Sequence, residues 1–466
     1  MKKRYFRADT HRSCFLMSMK MLVLMGVVGG IALLLSGCSS QSGDKKANGR
    51  IQVSYWEKWS GKERASMQQI VDDFNKSQDR IQVNMMMVSE IDRKTLVSIA
   101  GGDPPDLVGL WPHSIPPYAD KNAIIPLDGY IKKAGIKEED YLPVFWKMCL
   151  HQGKIYCLPS APSCLVLHWN KDLFKKAGLD PERPPQTIKE LNEYARKLTK
   201  RDKNGKIVQA GFLPNIPGWW NWSWGYWFGG KLWNGKDKIT CNNPENVKSF
   251  EWVQGFSKEY GVNEVQAFAS GFGNNFQSPQ NPFLTGQVAM QMQGIWMNDL
   301  INTYAPKNFN WGCAPFPTDV PGLTGVTFVE ADILCIPAGT KHPDEAFEFI
   351  RFVNTQKEME KFSILQQRIT PLSHVSDEFL AKHPHPYIKV FLDLVRSPNA
   401  FMSLDMSIWN EYTDEMSVAF DNAILMKDTP QGALDKTQVR VQKSLDRDLK
   451  RFERLGIVIM PAPPGR

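Results

Sequence analysis

The feature that most constrains the fold is a regular alternation of strand and helix patterns between residues 51 and 110. Residues 51–55 alternate apolar and polar side chains, as in a half-buried strand, and apolar residues then recur at helical spacing. The helical set is Met67, Ile70, Val71 and Phe74, and later strand, helix and strand patterns cover 81–85, 91–100 and 107–110. Such a series is typical of a parallel sheet with right-handed crossovers, so we predict an α/β fold.

The loops after the first and third of these strands are rich in tryptophan. In open parallel sheets a ligand binds beyond the carboxyl ends of the strands. Trp56, Glu57 and Trp59 in the first loop and Trp111 in the second are therefore candidate ligand contacts. For Glu57 two interpretations stay open: a carboxylate that accepts hydrogen bonds from ligand hydroxyls, or a solvated loop charge.

The rest of the chain adds a second group of elements. Capping-box spacings, in which two side chains satisfy free backbone N–H groups at a helix start, occur at Ser60 with Glu63 and at Thr187 with Glu190. A hairpin is predicted around Gly153. Strand patterns cover 165–170, 207–212 and 328–336, helical patterns cover 188–198 and 343–353, and 376–453 is mainly helical. No internal repeat of about 20–50 residues is visible, which argues against a solenoid or propeller.

The first 37 residues have the pattern of an export signal. They hold six Lys and Arg against one Asp, followed by a 15-residue apolar stretch at 21–35. About 20 apolar residues are needed to span a bilayer, so this stretch predicts a signal peptide over 1–37. Residues 35–38 (LSGC) resemble the bacterial lipobox, which would leave Cys38 to carry lipid and anchor the protein to a membrane. An ordinary cleaved signal and an uncleaved anchor stay as alternatives.

Polar residues 38–50 predict a flexible tether between the lipid and the folded part. The signal segment accounts for five of the seven net positive charges, so the body of the chain is nearly neutral. It lacks the dense basic stripe that phosphate neutralisation requires, and we expect no nucleic-acid partner.

Besides Cys14 and Cys38, the chain has six cysteines. In an exported protein these six can be oxidised to disulfides. Only Cys149 and Cys157 invite a specific test. A three-residue loop at 152–154 would set them opposite each other, whereas the commoner two-residue loop at 152–153 would set Cys149 opposite Tyr156. The cysteine spacings do not match a zinc site, and we expect neither metal nor cofactor.

Several short stretches, in this order along the chain, resemble one known family. They are GDPPD at 102–106, GKIY at 153–156 with LP at 158–159, HWNKDLF at 168–174 with AGL at 177–179, PPQT at 184–187, FLTGQVAM at 283–290 with GIW at 294–296, PFP at 315–317, and IPAGTKHP at 336–343 with AF at 346–347. Together they resemble the extracellular solute-binding proteins of ABC sugar importers, which include maltose-binding protein. The resemblance covers residues 51 to about 450.

The resemblance implies two α/β lobes joined by a hinge, with the solute clamped between them. Carried over, lobe one takes 50–160 plus 314–365, and lobe two takes 161–313 plus 366–466. A solute that touches both lobes favours closure through its differential contacts. We expect a monomer that captures a sugar outside the cell and delivers it to the transmembrane permease subunits of an ABC importer. It would be anchored to the outer face of the cell membrane, on the periplasmic side in a Gram-negative host.

A sugar site needs flat aromatic rings against the C–H faces and polar side chains around the rim. Five tryptophans fall between 219 and 227. Trp224 and Trp227 have the helical spacing of a core face, whereas Trp219 and Trp220 follow a Pro-Gly pair at a loop mouth and are cleft candidates. Glu330 and Asp332 alternate on one strand face, and Glu330 is the favoured contact. Arg368 and Trp409 are further candidates from lobe two, and His113 is interpreted as a surface residue.

The resemblance adds roles for three residues. Trp296, after Gly294, resembles the sugar-stacking tryptophan of the maltose-binding branch, and Trp111 matches another cleft-facing aromatic residue. Ser163 falls where that branch carries an acidic sugar ligand, and this departure implies a different sugar or a contact supplied elsewhere.

Three alternatives stay open. A glycosidase needs two carboxylates flanking one bond, but Glu330 and Asp332 lie side by side, and no G-x-S-x-G, P-loop or H-E-x-x-H motif is present. Within the same fold, aromatic rings with Glu57 and Glu330 suit a cationic amine. A sensory protein that presents its solute to a receptor is the third. The sequence favours the binding protein and predicts no enzyme activity.

Overall fold

The computed structural model describes residues 49–273 and 275–454. The predicted signal peptide at 1–37, the lipidation candidate Cys38 and the tether up to residue 48 lie outside the described residues. Within the described ranges, no helix is both long and apolar enough to cross a bilayer.

One eight-stranded mixed sheet organises the fold. In the order β10-β6-β11-β3-β1-β2, β1 pairs in parallel with β2 and β3, whereas β11 pairs antiparallel with β3 and β6. Strand β9 is an antiparallel neighbour of β6, and β12 a parallel neighbour of β11. The strands are β1 Ile51–Glu57, β2 Ile81–Met87, β3 Leu107–Leu110, β4 Leu150–His151, β5 Lys154–Ile155, β6 Cys157–Asn170, β7 Lys200–Arg201, β8 Ile207–Gln209, β9 Met290–Gly294, β10 Trp311–Ala314, β11 Thr327–Cys335 and β12 Ala400–Phe401.

Sixteen α-helices are found in the described part of the chain. They are α1 Gly61–Ser77, α2 Ile91–Ala100, α3 Ile115–Ala119, α4 Asp128–Ala134, α5 Pro143–Lys147, α6 Lys171–Lys176, α7 Ile188–Leu198, α8 Pro244–Tyr260, α9 Val262–Ser270, α10 Met297–Tyr304, α11 Pro343–Val353, α12 Gln356–Gln366, α13 Asp377–Lys382, α14 Ile388–Leu394, α15 Trp409–Ile424 and α16 Pro430–Arg454. A 3-10 helix covers Asn221–Phe228.

The apolar side chains form two hydrophobic clusters. The first includes Tyr55 of β1 and Phe349 of α11, and the second includes Phe250 of α8 and Tyr412 of α15. Strands β6 and β11 contribute side chains to both clusters, so two strands of one sheet connect the two halves. The first cluster also takes in Phe391 of α14, so the clusters do not follow the lobe boundaries drawn above, which stay a prediction.

The periodicity predictions are confirmed for the main elements. The predicted apolar faces of α1 and α7 are buried, and α2 and α11 have the predicted bounds. The capping prediction for α1 is wrong, because Ser60 makes no capping hydrogen bond and Glu63 binds Arg368 instead. At α7, Thr187 accepts from the backbone N–H of Glu190 as predicted, but the Glu190 carboxylate binds Arg183 and the Gln186 backbone.

The hairpin of β4 and β5 has the two-residue turn. Leu150 pairs with Ile155 and His151 with Lys154, and the backbone N–H of Tyr156 donates to the Cys149 carbonyl at 3.0 Å. Cys149 therefore lies opposite Tyr156 rather than Cys157. All six cysteines of the described ranges are buried free thiols, so the structure does not form the bridge that the sequence left open.

A buried histidine next to this turn joins distant segments. The His151 ring lies 2.9 Å from Asp120 through Nε2 and 2.5 Å from Asp405 through Nδ1, and Asp120 also contacts Ser407 and Arg451. Burial alone would lower the pKa of His151, but the hydrogen bonds to Asp120 and Asp405 raise it to about 9. The protonated ring therefore ties the end of α3 to the segment before α15.

The His151 network predicts a pH-dependent contribution to stability. A pKa raised from 6.5 to about 9 gives stabilisation that is fully present below about pH 6.5 and is lost as the pH rises through 9. His151→Gln should therefore lower the free energy of unfolding by about 3 kcal/mol at pH 7, and by much less at pH 10. Urea unfolding at both pH values measures the difference, and an equal loss at the two would contradict the prediction.

Candidate functional site

A cavity of about 860 Å³ lies at the carboxyl ends of the three parallel strands. Lys58 follows β1, Ser89 follows β2 and Trp111 follows β3 in its wall. Strands β6 and β11 form its floor through Ser163, Glu330 and Asp332, and α10 and α12 close the other side. The remaining side chains in the wall are Trp59, Ser60, Lys62, Glu63, Ser66, Val88, Glu90, Ile91, Asp92, Ala161, Trp219, Gln277, Trp296, Asp299, Leu300, Thr303, Tyr304, Ala331, Leu365, Gln366 and Arg368.

Aromatic rings stand on two sides of the cavity. On one side Lys58 Nζ lies 5.0 Å from the Trp59 ring centroid and 4.9 Å from that of Trp111, so one ammonium fixes both rings by cation–π contact. On the other side Trp296 packs against both hydrophobic clusters and lies 5.9 Å from the Arg368 guanidinium carbon. The cavity wall thus contains tryptophan rings from separate elements, which is what a ligand with apolar C–H faces and a polar rim requires.

The position of Trp296 depends on Gly294. The six-membered ring of Trp296 folds back over the end of β9, and a Cβ at Gly294 would meet it at 2.2 Å. The Trp296 Nε1–H donates to Gln293 Oε1 at 3.1 Å, which fixes the ring at the cavity wall.

Asp332 holds the floor of the cavity together. Its carboxylate binds Lys58 at 2.8 Å and Arg368 at 3.3 Å, and Arg368 also binds Glu63 of α1. Lys58 adds contacts to Glu57 and to the carbonyls of residues 109 and 110. Burial would lower the pKa of Lys58, but Asp332 and Glu57 raise it above its ordinary value. Each of these buried charges has a partner, as burial demands.

Glu330 of β11 and Ser163 of β6 are register partners on these two adjacent antiparallel strands, and both line the cavity. Burial and Asp332 raise the pKa of Glu330 to about 7, against the opposing effect of Lys58 and Arg368. The Ser163 hydroxyl is buried, with no hydrogen-bond partner among the described residues. His113, interpreted above as a surface residue, is partly buried, stacks on Trp111 and lies 3.9 Å from Glu330.

Seven of the eleven predicted contacts line the cavity: Trp59, Trp111, Ser163, Trp219, Trp296, Glu330 and Arg368. Trp219 is 43% exposed at its rim. Trp220 does not line the cavity but packs behind Trp296, with ring centroids 5.9 Å apart. Trp224 and Trp227 are buried in the core, as their spacing predicted.

Glu57, Trp56 and Trp409 lie away from the cavity. Strand β1 continues through Glu57, whose carboxylate is 1% exposed and accepts from the Tyr55 hydroxyl at 2.5 Å. It occupies the space beside Gly109, where a Cβ would lie 1.9 Å from Oε2. Trp56 packs against the first cluster. Trp409 is 3% exposed because its ring meets Trp222 edge-on at 4.9 Å in the second cluster.

Helix α10 and Lys58 also contribute to the cavity wall, and neither was predicted as a ligand contact. Asp299, Leu300, Thr303 and Tyr304 follow Trp296 at spacings of three, four, seven and eight, which is one face of a helix that starts at the predicted stacking residue. That pattern was available as a signal. Lys58 lay inside a predicted ligand loop, but nothing in the sequence showed that Asp332 would hold it.

Within the described ranges, no group of three or more His, Cys, Asp or Glu is placed to hold a metal ion.

A family model described as "Bacterial extracellular solute-binding protein" matches residues 58–360. The chain belongs to this family. It comprises proteins that bind solutes outside the cytoplasm and are not enzymes.

Relatives with known structures have the same fold. The chain is 31% identical to CpMnBP1, solved with mannotriose bound, over 83% of this chain and 99% of that one, with a TM-score of 0.73. The mannobiose complex gives 30% identity and a TM-score of 0.74 over 83% and 98%. The sugar-binding protein MalE of Xanthomonas citri, at 19% identity, has a TM-score of 0.71 over 86% and 99%. The predicted periplasmic-binding-protein fold is confirmed.

Curated relatives include the sn-glycerol-3-phosphate-binding periplasmic protein UgpB. The protein of Pectobacterium atrosepticum is 25% identical over 59% of this chain, and that of Escherichia coli K12 is 25% identical over 57%. The matches span 63% and 61% of those relatives, less than two thirds of their length.

Asp332→Asn should be the most disruptive single change at the cavity. It leaves the buried cations of Lys58 and Arg368 without their shared carboxylate, and breaking a buried ion pair from one side costs about 3 kcal/mol or more. Urea unfolding measures this loss. The matched control is Glu378→Gln, which removes an exposed ion pair with Lys382 and should leave the midpoint unchanged. A stable Asp332→Asn protein would contradict the assignment.

Proposed function

We propose that the chain captures a neutral oligosaccharide of two or three units between its lobes and delivers it to an ABC permease. The observation that carries this proposal is the cavity itself. Four tryptophans from different elements line it, and the buried Ser163 hydroxyl on its floor has no hydrogen-bond partner among the described residues. Its volume of about 860 Å³ is within the usual range for small-molecule sites.

The charges in the wall favour a neutral ligand over a phosphate. Each of its three cations already has a carboxylate partner: Lys58 binds Asp332, Lys62 binds Asp299, and Arg368 binds Asp332 and Glu63. The wall adds Asp92 and Glu330 without a further cation, whereas Glu90 pairs with Arg93 outside the wall. A phosphate would therefore find no uncommitted cation among the described wall residues, which disfavours its binding. This supports a mannobiose- or mannotriose-like solute, as in CpMnBP1, rather than the glycerol phosphate of UgpB.

The two predicted lobes are expected to close over a bound ligand, because the cavity is lined by residues of both lobes. Strand β6 runs across the predicted boundary at 160/161 and would serve as a hinge segment. A ligand that contacts Trp111 on one side and Trp296 on the other stabilises the closed form through contacts that the open form lacks. The closed form is what a permease would recognise, and a receptor reading the same form would make the protein a sensor.

The proposed anchor is Cys38, lipid-modified after removal of residues 1–37. Expressed in a bacterial host, the full chain should fractionate with membranes, and Cys38→Ala should move it to the soluble fraction. Equal partitioning of the two forms would refute the lipid anchor while leaving the binding proposal intact.

A ligand panel tests the proposed solute class. Thermal unfolding of the purified protein is followed with mannobiose, mannotriose, sn-glycerol 3-phosphate and spermidine. A mannooligosaccharide at 100 times its dissociation constant should stabilise the fold by about 2.7 kcal/mol. Stabilisation by glycerol phosphate alone would indicate a solute like that of UgpB and contradict the proposed sugar. Stabilisation by spermidine alone would indicate an amine-binding site.

Trp296 should carry a large share of the binding energy, because its ring is fixed at the wall by Gly294 and Gln293. Trp296→Ala should weaken mannotriose binding about tenfold or more, since it removes an aromatic stacking surface. Titration calorimetry gives the affinities. Trp296→Phe keeps a ring and should lose less, so equal losses in the two variants would count against stacking.

A further inference from the structure

Two side chains at the C-terminal end of α12, Gln366 and Arg368, line the cavity on either side of Gln367, which does not. The helix ends at Gln366, Gln367 adopts a left-handed backbone conformation with φ of 57°, and Arg368 follows. Arg368 is engaged by Glu63 and Asp332. Gln367 accepts from the side-chain amides of Asn298 and Asn302 of α10 and donates to Asp299. The last two side chains are thus held by neighbouring elements.

Gln366 differs from both of its neighbours. It lines the cavity and is only 6% exposed, yet neither Nε2 nor Oε1 has a hydrogen-bond partner in the described part of the chain. Gln367, at 8% exposed, is equally buried and fully engaged. Buried amides without partners are rare and destabilising, because the group loses its water without a replacement. Two other polar groups of α12, on Glu358 and Ser363, also have an unpartnered oxygen, but neither lines the cavity.

We propose that Gln366 is a ligand-binding residue that recognises a pair of adjacent hydroxyls on the solute. This inference rests on the proposed oligosaccharide function. A primary amide offers an acceptor oxygen and a donor NH₂ group side by side, which matches two neighbouring hydroxyls, one donating and one accepting. Ser163, which is also buried and unpartnered, supplies a second neutral group in the same cavity.

Because the Gln366 amide is uncharged and unpaired, it is the group that sets which solutes the cavity accepts. The cations of the cavity wall, Lys58, Lys62 and Arg368, are each bound to carboxylates, so they bring little free capacity for a new hydrogen bond. A site that presents an unsatisfied amide discriminates against a solute without the matching hydroxyls, because the amide then stays unpaired in the closed state. Gln366 therefore selects solutes with vicinal hydroxyls, which a polyamine such as spermidine lacks. Glycerol phosphate also carries one such pair, and it is the charges of the wall that disfavour it.

Gln366→Met tests the assignment through two measurements of opposite sign. Met keeps the volume of the side chain and removes the unpaired amide, so the ligand-free protein should have a higher melting temperature. Mannotriose binding by calorimetry should become about tenfold weaker, because the ligand loses the partner that the amide provides.

Two other glutamines in and next to α12 serve as controls. Gln367→Met removes an amide that has partners and should lower the melting temperature of the ligand-free protein. Gln356→Met, on the exposed first turn of the same helix, should change neither quantity.

The outcomes separate this inference from the function on which it rests. If the wild-type protein does not bind mannotriose, both fail. If it binds, and Gln366→Met binds equally well, only the role of Gln366 is overturned. Weaker binding together with a lower melting temperature, as for Gln367→Met, assigns Gln366 a structural role and also overturns the inference.

Discussion

The carboxylate of Asp332 is the constraint on which the site depends. It lies on a strand shared by both halves, and it binds one cation from the loop after β1 and another from the end of α12. Through Lys58 it orients Trp59 and Trp111, and through Arg368 it reaches α1 and the Trp296 ring. Buried charges contribute little net stability, but they make geometry specific, because any displacement leaves an uncompensated charge. The aromatic walls are therefore placed by electrostatics as much as by packing.

Much of the fold could be predicted because buried apolar residues recur at regular, short spacings along the sequence. Helix α1 buries the face that its spacing of three and four indicates, and β1 to β3 alternate with helices as a parallel sheet requires. The failures have a different origin. Glu63 has capping-box spacing, but a guanidinium more than 300 residues away binds its carboxylate. Local propensity gives way wherever a tertiary partner offers a stronger interaction.

The site shows the same division. Trp296 and Trp111 were predictable because motifs fix their place after particular strands. Trp409 was not, since only tertiary packing decides whether the aromatic face at a helix start points to the cavity or, as here, to Trp222. The importance of Gln366 could not be predicted at all, because a missing hydrogen bond has no sequence pattern. The lobe boundaries taken from the resemblance are likewise still a prediction.

Strand β6 has a consequence for how the molecule assembles. Its first half pairs with β11, and its second half pairs with β9 and β10, so its partners are all made more than a hundred residues later in the chain. Pairing over such separations slows folding, because the entropy cost of closing the long loop comes before the strand contacts add any stabilisation. The central sheet therefore cannot form until most of the chain has been synthesised. For a protein of an extracytoplasmic family, such a delay would leave the newly made polypeptide unfolded for longer, as passage through a translocation channel requires.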